Sequence, residues 1–288
     1  MPRLKQILFP VDFSGPCVRT AKAVSMVNKH FKATLTLLHA PSIPLLPEIT
    51  YPGRLYSALR KEIQKDSTNA MDRFVARHFA SQAVKSVIDE GDPAQVITDY
   101  AHKHNIDLIM MPTHGYGPFR RFLAGSVTAK VLHDVLCPVW TSAHTERARV
   151  RAAGEYQNIL CAVDCNSDAV ALIRWAGWLR RHYQATVKLV HVIPTLNETS
   201  RNRGELELRR YLIRRSRPEF DILMDQAGFR AELLIRGGNI PTTLAETARE
   251  QHADLLIVGR GHTRKALGRL RTHSLAIIRE SPCPVISV

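Results

Sequence analysis

Acidic residues are scarce in this chain. Its 288 residues hold 26 Asp and Glu against 40 Lys and Arg, a formal net charge of +14. The deficit is uneven: 17 basic residues meet 12 acidic ones through residue 146, and 23 meet 14 beyond it. A field of that sign draws in nucleotides, nucleic acid or anionic membranes without choosing among them. Long apolar runs are also missing, and none approaches the roughly 20 residues that cross a bilayer. The opening stretch "MPRLKQILFPVDF" has a short apolar segment and no small-residue cleavage site, which predicts no secretory signal and a cytoplasmic location. The five cysteines, Cys17, Cys137, Cys161, Cys165 and Cys283, are odd in number and form no C-x-x-C pair. They read as reduced thiols in or near a core.

Several catalytic signatures are lacking too. The chain has no G-x-x-x-x-G-K-[ST] loop for phosphate and no G-x-S-x-G elbow for acyl transfer. "GYGPFR" (115–120) lacks the third glycine of a dinucleotide-binding turn and stands too late in its half to follow the first strand. His102 and His104 splay apart on an expected helix, which argues against a shared metal. No carboxylate pair and no Cys/His dyad stands out, so no catalytic residue is assigned.

What is present is written twice. "QILFPVDFS" (6–14) returns as "NILCAVDCN" (158–166), and "ATLTLLHA" (33–40) returns as "ATVKLVHV" (185–192). "EGDPAQVITDYAHKHNIDLIMMP" (90–112) is answered by "GGNIPTTLAETAREQHADLLIVG" (237–259), and "LCPVW" (136–140) by "PCPVI" (282–286). Matches in one order at an offset of about 150 residues mark a duplicated domain rather than a short repeat. Domains are expected at 1–146 and 155–288, joined through the polar segment 144–157, which has no apolar periodicity.

Each copy alternates short β-rich runs with stretches of helix length. Strands are expected at 7–11, 34–39, 84–89, 108–111 and 139–141, and again at 159–163, 186–192, 231–235, 255–258 and 285–288. Runs apolar on both faces, separated by helices such as 167–183, imply an α/β fold of parallel β-α-β units with helices on both sides. The Pro-rich excursion at 40–53 is loop material. In such sheets a ligand sits beyond the C-terminal strand ends.

The residues at those ends are therefore the candidates. Asp12 after the first strand, matched by Asp164, suits either a helix N-cap or a carboxylate that holds a base or ribose. After the fourth strand, Gly115 and Gly125 have nine residues between them, and Ser126 opens an apparent helix. A helix start offers unpaired N–H groups to phosphate, glycine allows close approach, and Arg120 and Arg121 supply charge. The bland alternative is a mobile loop closed by an ordinary serine cap. A second arginine group at 201–220 reads as a solvated helix face, since aromatic or polar base readers are not interleaved with it.

The ordered set "ILFPVDFS", "LTLLHA", "GDPAQVI" and "DLIMMPTHGYGPFRRFLAGSVTAKVLHDVLCPVW", with its reprise, resembles the universal stress protein family over nearly the whole chain. The resemblance implies two tandem Rossmann-like layers, each a five-stranded parallel sheet of order 3-2-1-4-5 with helices on both faces. Many members bind ATP through G-x-x-G, nine residues, then G-[ST]. Gly115, Gly125 and Ser126 match that pattern, while Pro112 replaces its first glycine and cannot donate an N–H. Carried over position by position, the resemblance implies a nucleotide site in the first half. It comprises Pro10, Val11, Asp12, Ala40, Met111, Pro112, His114, Gly115, Gly125, Ser126 and Val127.

The second half departs further. Val163, Asp164, Val192, Gly259 and Ser274 persist as a second candidate site, but Thr272 and His273 stand where the glycine before Ser274 should be. Arg260, Arg264, Lys265, Arg269 and Arg271 crowd the same loop and could hold an anion by charge. The expected function is a stress-response factor binding ATP, with Mg²⁺ accompanying it and at most slow hydrolysis. The alternative is a scaffold that binds protein partners without nucleotide. Single-domain relatives pair through their last strand, so "CPVWTS" and "CPVISV" are expected to join the halves about a pseudo-twofold axis. A further homodimer is compatible with this; a nucleic-acid or membrane partner is not expected.

Overall fold

Five short apolar strands in each half fix the architecture, because runs buried on both faces must be covered by helices on both sides. The computed structural model describes residues 3–41, 53–114, 125–142, 156–166, 168–194, 202–260 and 269–288, the side chains of 53–56 and 269–272 excepted. The chain divides into two compact units, Leu4–Trp140 and Thr141–Val288.

The first half runs β1 (Gln6–Pro10), α1 (Gly15–Phe31), β2 (Thr34–His39), α2 (Gly53–His78), β3 (Val84–Ile88), α3 (Pro93–Lys103), β4 (Leu108–Met111), α4 (Ser126–Asp134) and β5 (Val139–Thr141). The second repeats it as β6 (Asn158–Ala162), α5 (Ala169–Tyr183), β7 (Thr186–Ile193), α6 (Arg203–Ala227), β8 (Glu232–Gly237), α7 (Ile240–Glu250), β9 (Leu255–Val258), α8 (Arg269–Glu280) and β10 (Val285–Ser287). Strand order is β3-β2-β1-β4-β5 in one half and β8-β7-β6-β9-β10 in the other. The central strands pair in parallel, Pro10 opposite Leu38 and Leu8 opposite Ile109, with Cys161 opposite both Val190's predecessor Leu189 and Ile257 in the second copy. The duplicated α/β reading therefore holds.

The sequence boundaries shift by one or two residues. The first strand of each half stops before Val11 and Val163, yet both N–H groups still bond the neighbouring strand, at Leu38 O and Val190 O. The strand expected at 231–235 instead spans Glu232–Gly237, since the long β7 offers it partners through Ile193.

The repeated "GDP" and "GNIP" stretches are turns into helices. Gly91 and Gly238 sit at φ +148° and +119°, a region side chains rarely adopt. The next residue caps the helix: Asp92 accepts from Ala94 and Gln95 N–H, and Asn239 from Thr242 N–H. A second matched device is long-range. Asp107 accepts the N–H groups of Lys5 and Gln6 at 2.7 and 2.9 Å, and Asp254 those of Gln157 and Asn158. Each aspartate thus ties the entry of its half's first strand to the start of the fourth.

Cys17, Cys161 and Cys283 are buried and none of the five cysteines is in a disulfide; Cys165, however, is exposed and Cys137 half-buried, so those two lie outside the core. Burial pushes the Cys17 and Cys283 thiols up to about 12, which keeps them protonated and poor nucleophiles. No helix among the described residues is long and apolar enough to cross a membrane.

Candidate functional site

In the first half three adjacent strands end together. β1 delivers Pro10, Val11 and Asp12, β2 delivers His39 and Ala40, and β4 delivers Met111, Pro112, Thr113 and His114. Val11 and Met111 are 3% and 4% exposed, apolar walls at the strand ends. His39 Nδ1 lies 2.7 Å from Val11 O, which locks the second strand's exit to the turn carrying Asp12.

Asp12 does not cap α1. That role belongs to Ser14, whose hydroxyl accepts from Cys17 N–H, while Asp12 Oδ1 accepts from Ser14 N–H at 3.0 Å. Between them Phe13 takes φ +61°, costly for a bulky side chain. Its ring lies 4.6 Å from His39 and 5.7 Å from Phe74, contacts that hold the turn. Asp12 is half-buried and keeps a second carboxylate oxygen for further hydrogen bonds.

Ser126 begins α4, as the sequence suggested, with Gly125 at the N-cap and no side-chain cap bond. The first intrahelical bond runs from Ala129 N–H to Gly125 O at 2.9 Å. The N–H groups of Ser126, Val127 and Thr128 therefore face out of the helix start. Gly125 N–H is not one of these donors: it binds Thr113 O at 2.9 Å. A Cβ at Gly125 would meet His114 Cα at 3.4 Å, an ordinary van der Waals contact, so the position has room for a side chain. Thr128 Oγ1 donates to Pro112 O at 3.2 Å, and His114 Nδ1 lies 3.1 Å from Thr113 Oγ1. Gly115, Arg120 and Arg121 lie outside the described residues.

The second half brings its candidates to one solvent-open cavity. Val163, Asp164, Val192, Gly259, His273 and Ser274 all line it. His191 repeats the role of His39, its Nδ1 lying 3.1 Å from Val163 O and 3.2 Å from Asp164 Oδ1. Helix α8 starts at Arg269, so Ser274 lies in its second turn, whereas Ser126 opens α4. Arg260 is 9% exposed, and its N–H binds Val288 O at 2.9 Å, so it is a packed residue rather than part of a surface anion cluster. Gly261, Arg264 and Lys265 lie outside the described residues, as do the side chains of Arg269, Arg271 and Thr272.

The strand-two histidines and the Asp107/Asp254 ties carry geometry the sequence did not assign. Recurrence at matched places in both copies was the available signal. Among the described residues no three His, Cys, Asp or Glu side chains gather to hold a metal.

The family model for universal stress proteins matches residues 3–142 and again 155–288. A universal stress protein of Methanocaldococcus jannaschii, MJ0531, is 29% identical over 137 residues, 47% of this chain and 79% of that one. Another, Sll1654 of Synechocystis, is 31% identical over 137 residues, 47% of this chain and 83% of the relative. The crystal structure of a universal stress protein from Archaeoglobus fulgidus matches 99% of this chain and 96% of its own, with a TM-score of 0.67 at 20% identity; at that identity the likeness speaks for the fold. With one match to the family in each half, this chain belongs to the universal stress protein family.

Proposed function

We propose that the first half binds an adenine nucleotide, ATP, and that the chain acts as a nucleotide-responsive stress factor. The observation carrying this reading is the start of α4: three outward N–H groups, at Ser126, Val127 and Thr128, preceded by Gly125 at the N-cap with no side-chain cap bond. A helix start of that kind suits phosphate by both its donors and its dipole. The purine would lie between Val11, Ala40 and Met111, with Asp12 toward the ribose or base. Pro112 contributes a carbonyl to Thr128 rather than a donor to phosphate. Mg²⁺ would be held by the phosphates and water, since the described residues offer it no cluster of ligands.

The second reading, a nucleotide-independent scaffold, draws on Pro112 and on Gly125 N–H being committed to Thr113 O. Calorimetric titration of ATP into the wild type and a Gly125→Asp chain separates the two. Aspartate is a favourable N-cap at the φ of −55° found there, but it sets a negative charge against the phosphates. ATP is expected to bind the wild type once in the first half and the variant at least tenfold more weakly. No binding by the wild type, or equal affinity in both, would leave the scaffold reading.

A further inference from the structure

Helix α6 carries a surface that its counterpart in the first half lacks. Its inner side is held by Phe220 and Met224, both buried, with the Phe220 ring 4.9 Å from that of His191 on β7. Of the large apolar side chains exposed among the described residues, Leu206, Leu208, Tyr211 and Ile222 all belong to this one helix, and only Val18 and Leu136 lie elsewhere. Leu208, Tyr211 and Ile222 are half or more exposed. Their spacing is close to whole helical turns, which lines them up on the side facing away from Phe220. The described side chains of α2 expose no large apolar residue, and its middle mixes both signs of charge as "RKEIQKD" (60–66).

The charge of α6 is segregated. "LRRYLIRRSRP" (208–218) holds five arginines and no acidic residue. Arg210, Arg214 and Arg217 follow one another along one flank of the apolar line. Arg215 stands within it, its Nη1 3.4 Å from the Tyr211 hydroxyl. The acidic residues lie toward the ends of the helix, where Glu207 pairs with Arg203, and Asp221 and Asp225 pair with Arg230. Among the described residues, Arg209, Arg210, Arg214, Arg215 and Arg217 have no ion-pair partner. A solvated face accounts for these arginines but not for the apolar line among them.

We infer that the outer side of α6 docks this protein on an anionic bilayer, lying along the surface without crossing it. Guanidinium groups match lipid phosphates with paired hydrogen bonds. Leu208, Tyr211 and Ile222 would leave water for the zone between headgroups and acyl chains, where a basic amphipathic helix rests. A convex face with projecting apolar groups suits a surface that yields around them. Nucleic acid would answer the arginines, but its phosphate backbone gives aliphatic side chains little to bury against. An acidic protein would have to bring a matched apolar pocket. None of these residues belongs to the nucleotide site proposed in the first half.

The test sediments the full-length chain with sucrose-loaded vesicles, of phosphatidylcholine alone or mixed equally with phosphatidylglycerol. The wild type is expected to bind the mixed vesicles at least about tenfold more tightly than the neutral ones, and less so as salt rises. Two double variants change only exposed positions: Arg210→Gln with Arg214→Gln, and Leu208→Ser with Ile222→Ser. Each is expected to lose about tenfold in affinity, with its circular dichroism melt unchanged. Tyr211→Trp reports without removing a contact. Its emission is expected to move to shorter wavelength on the mixed vesicles, by more than that of the wild type. A wild type indifferent to lipid charge overturns the inference. So does full binding by the arginine double variant, which would put the contact elsewhere on this basic chain. Binding a DNA duplex as tightly as the mixed vesicles, with the Leu208→Ser, Ile222→Ser chain unaffected on both, would make α6 a general polyanion face and overturn it as well.

Discussion

At the scale of single residues, the repeated positions divide by the work they do. Gly91 and Gly238 are demanded by backbone geometry, while Asp92 and Asn239 answer the open N–H groups of α3 and α7. Asn239 Oδ1 accepts from both the N–H and the hydroxyl of Thr242, the latter at 3.2 Å. Asn239→Ala removes the acceptor and is expected to cost about 1 kcal/mol of stability, whereas Asn239→Asp keeps it and is expected to hold within a few tenths. Urea unfolding of the three chains checks this; an alanine chain as stable as wild type would mean the helix start is satisfied another way. Asp12 illustrates what sequence left open at this scale. It had two readings, and the cap went to Ser14 two residues on, because the turn at Phe13 moves the helix start past the aspartate. Nothing in a local pattern announces a positive φ at phenylalanine; its packing against His39 and Phe74 does.

At the scale of elements, the central strands were the most legible, since runs such as "LIMM" and "LLIV" are buried along their whole length. Helix starts were legible where a capping residue or a glycine marked them and not otherwise. The first turns of α8 are "RLRTHS", without a cap signature, and no helix start was legible there. The Asp107 and Asp254 ties were invisible because each joins residues about a hundred positions apart. Packing inside α5 sets a sharper limit. Gly177 is buried, and a Cβ there would meet Phe229 Cγ at 2.7 Å. Gly177→Ala gains helix propensity of about 1 kcal/mol, but overpacking costs about 1–3 kcal/mol, and the ring's inner atom cannot swing away as a chain end would. The net expectation is a destabilised protein, recovered in part when Phe229→Leu is added, because coupled neighbours are not additive. Thermal melts of the single and double variants decide it, and a Gly177→Ala chain that melts higher than wild type would show that the Phe229 ring yields freely.

At the scale of the whole molecule, duplication supplied two scaffolds and sequence divergence made their strand ends unequal. The positive charge excess is larger in the second half, yet the cavity there has two carboxylates at its rim. Net charge and ligand chemistry thus point to different halves. A long-range field raises the local concentration of any anion, whereas binding needs donors at the right place. Hydrogen exchange of the intact chain with and without ATP separates these contributions. Slowed exchange is expected around 11–14, 111–114 and 125–128, where the strand ends and the α4 start lie, with amides at 163–169 and 273–277 unchanged. Protection concentrated at the second set would mean that charge outweighs backbone geometry in choosing the site. Equal protection at both would mean that an α8 extended through His273 still admits phosphate. Because amides report opening locally, the result assigns the ligand to a half without cutting the chain, and raising the salt concentration in the same experiment should weaken the protection without moving it.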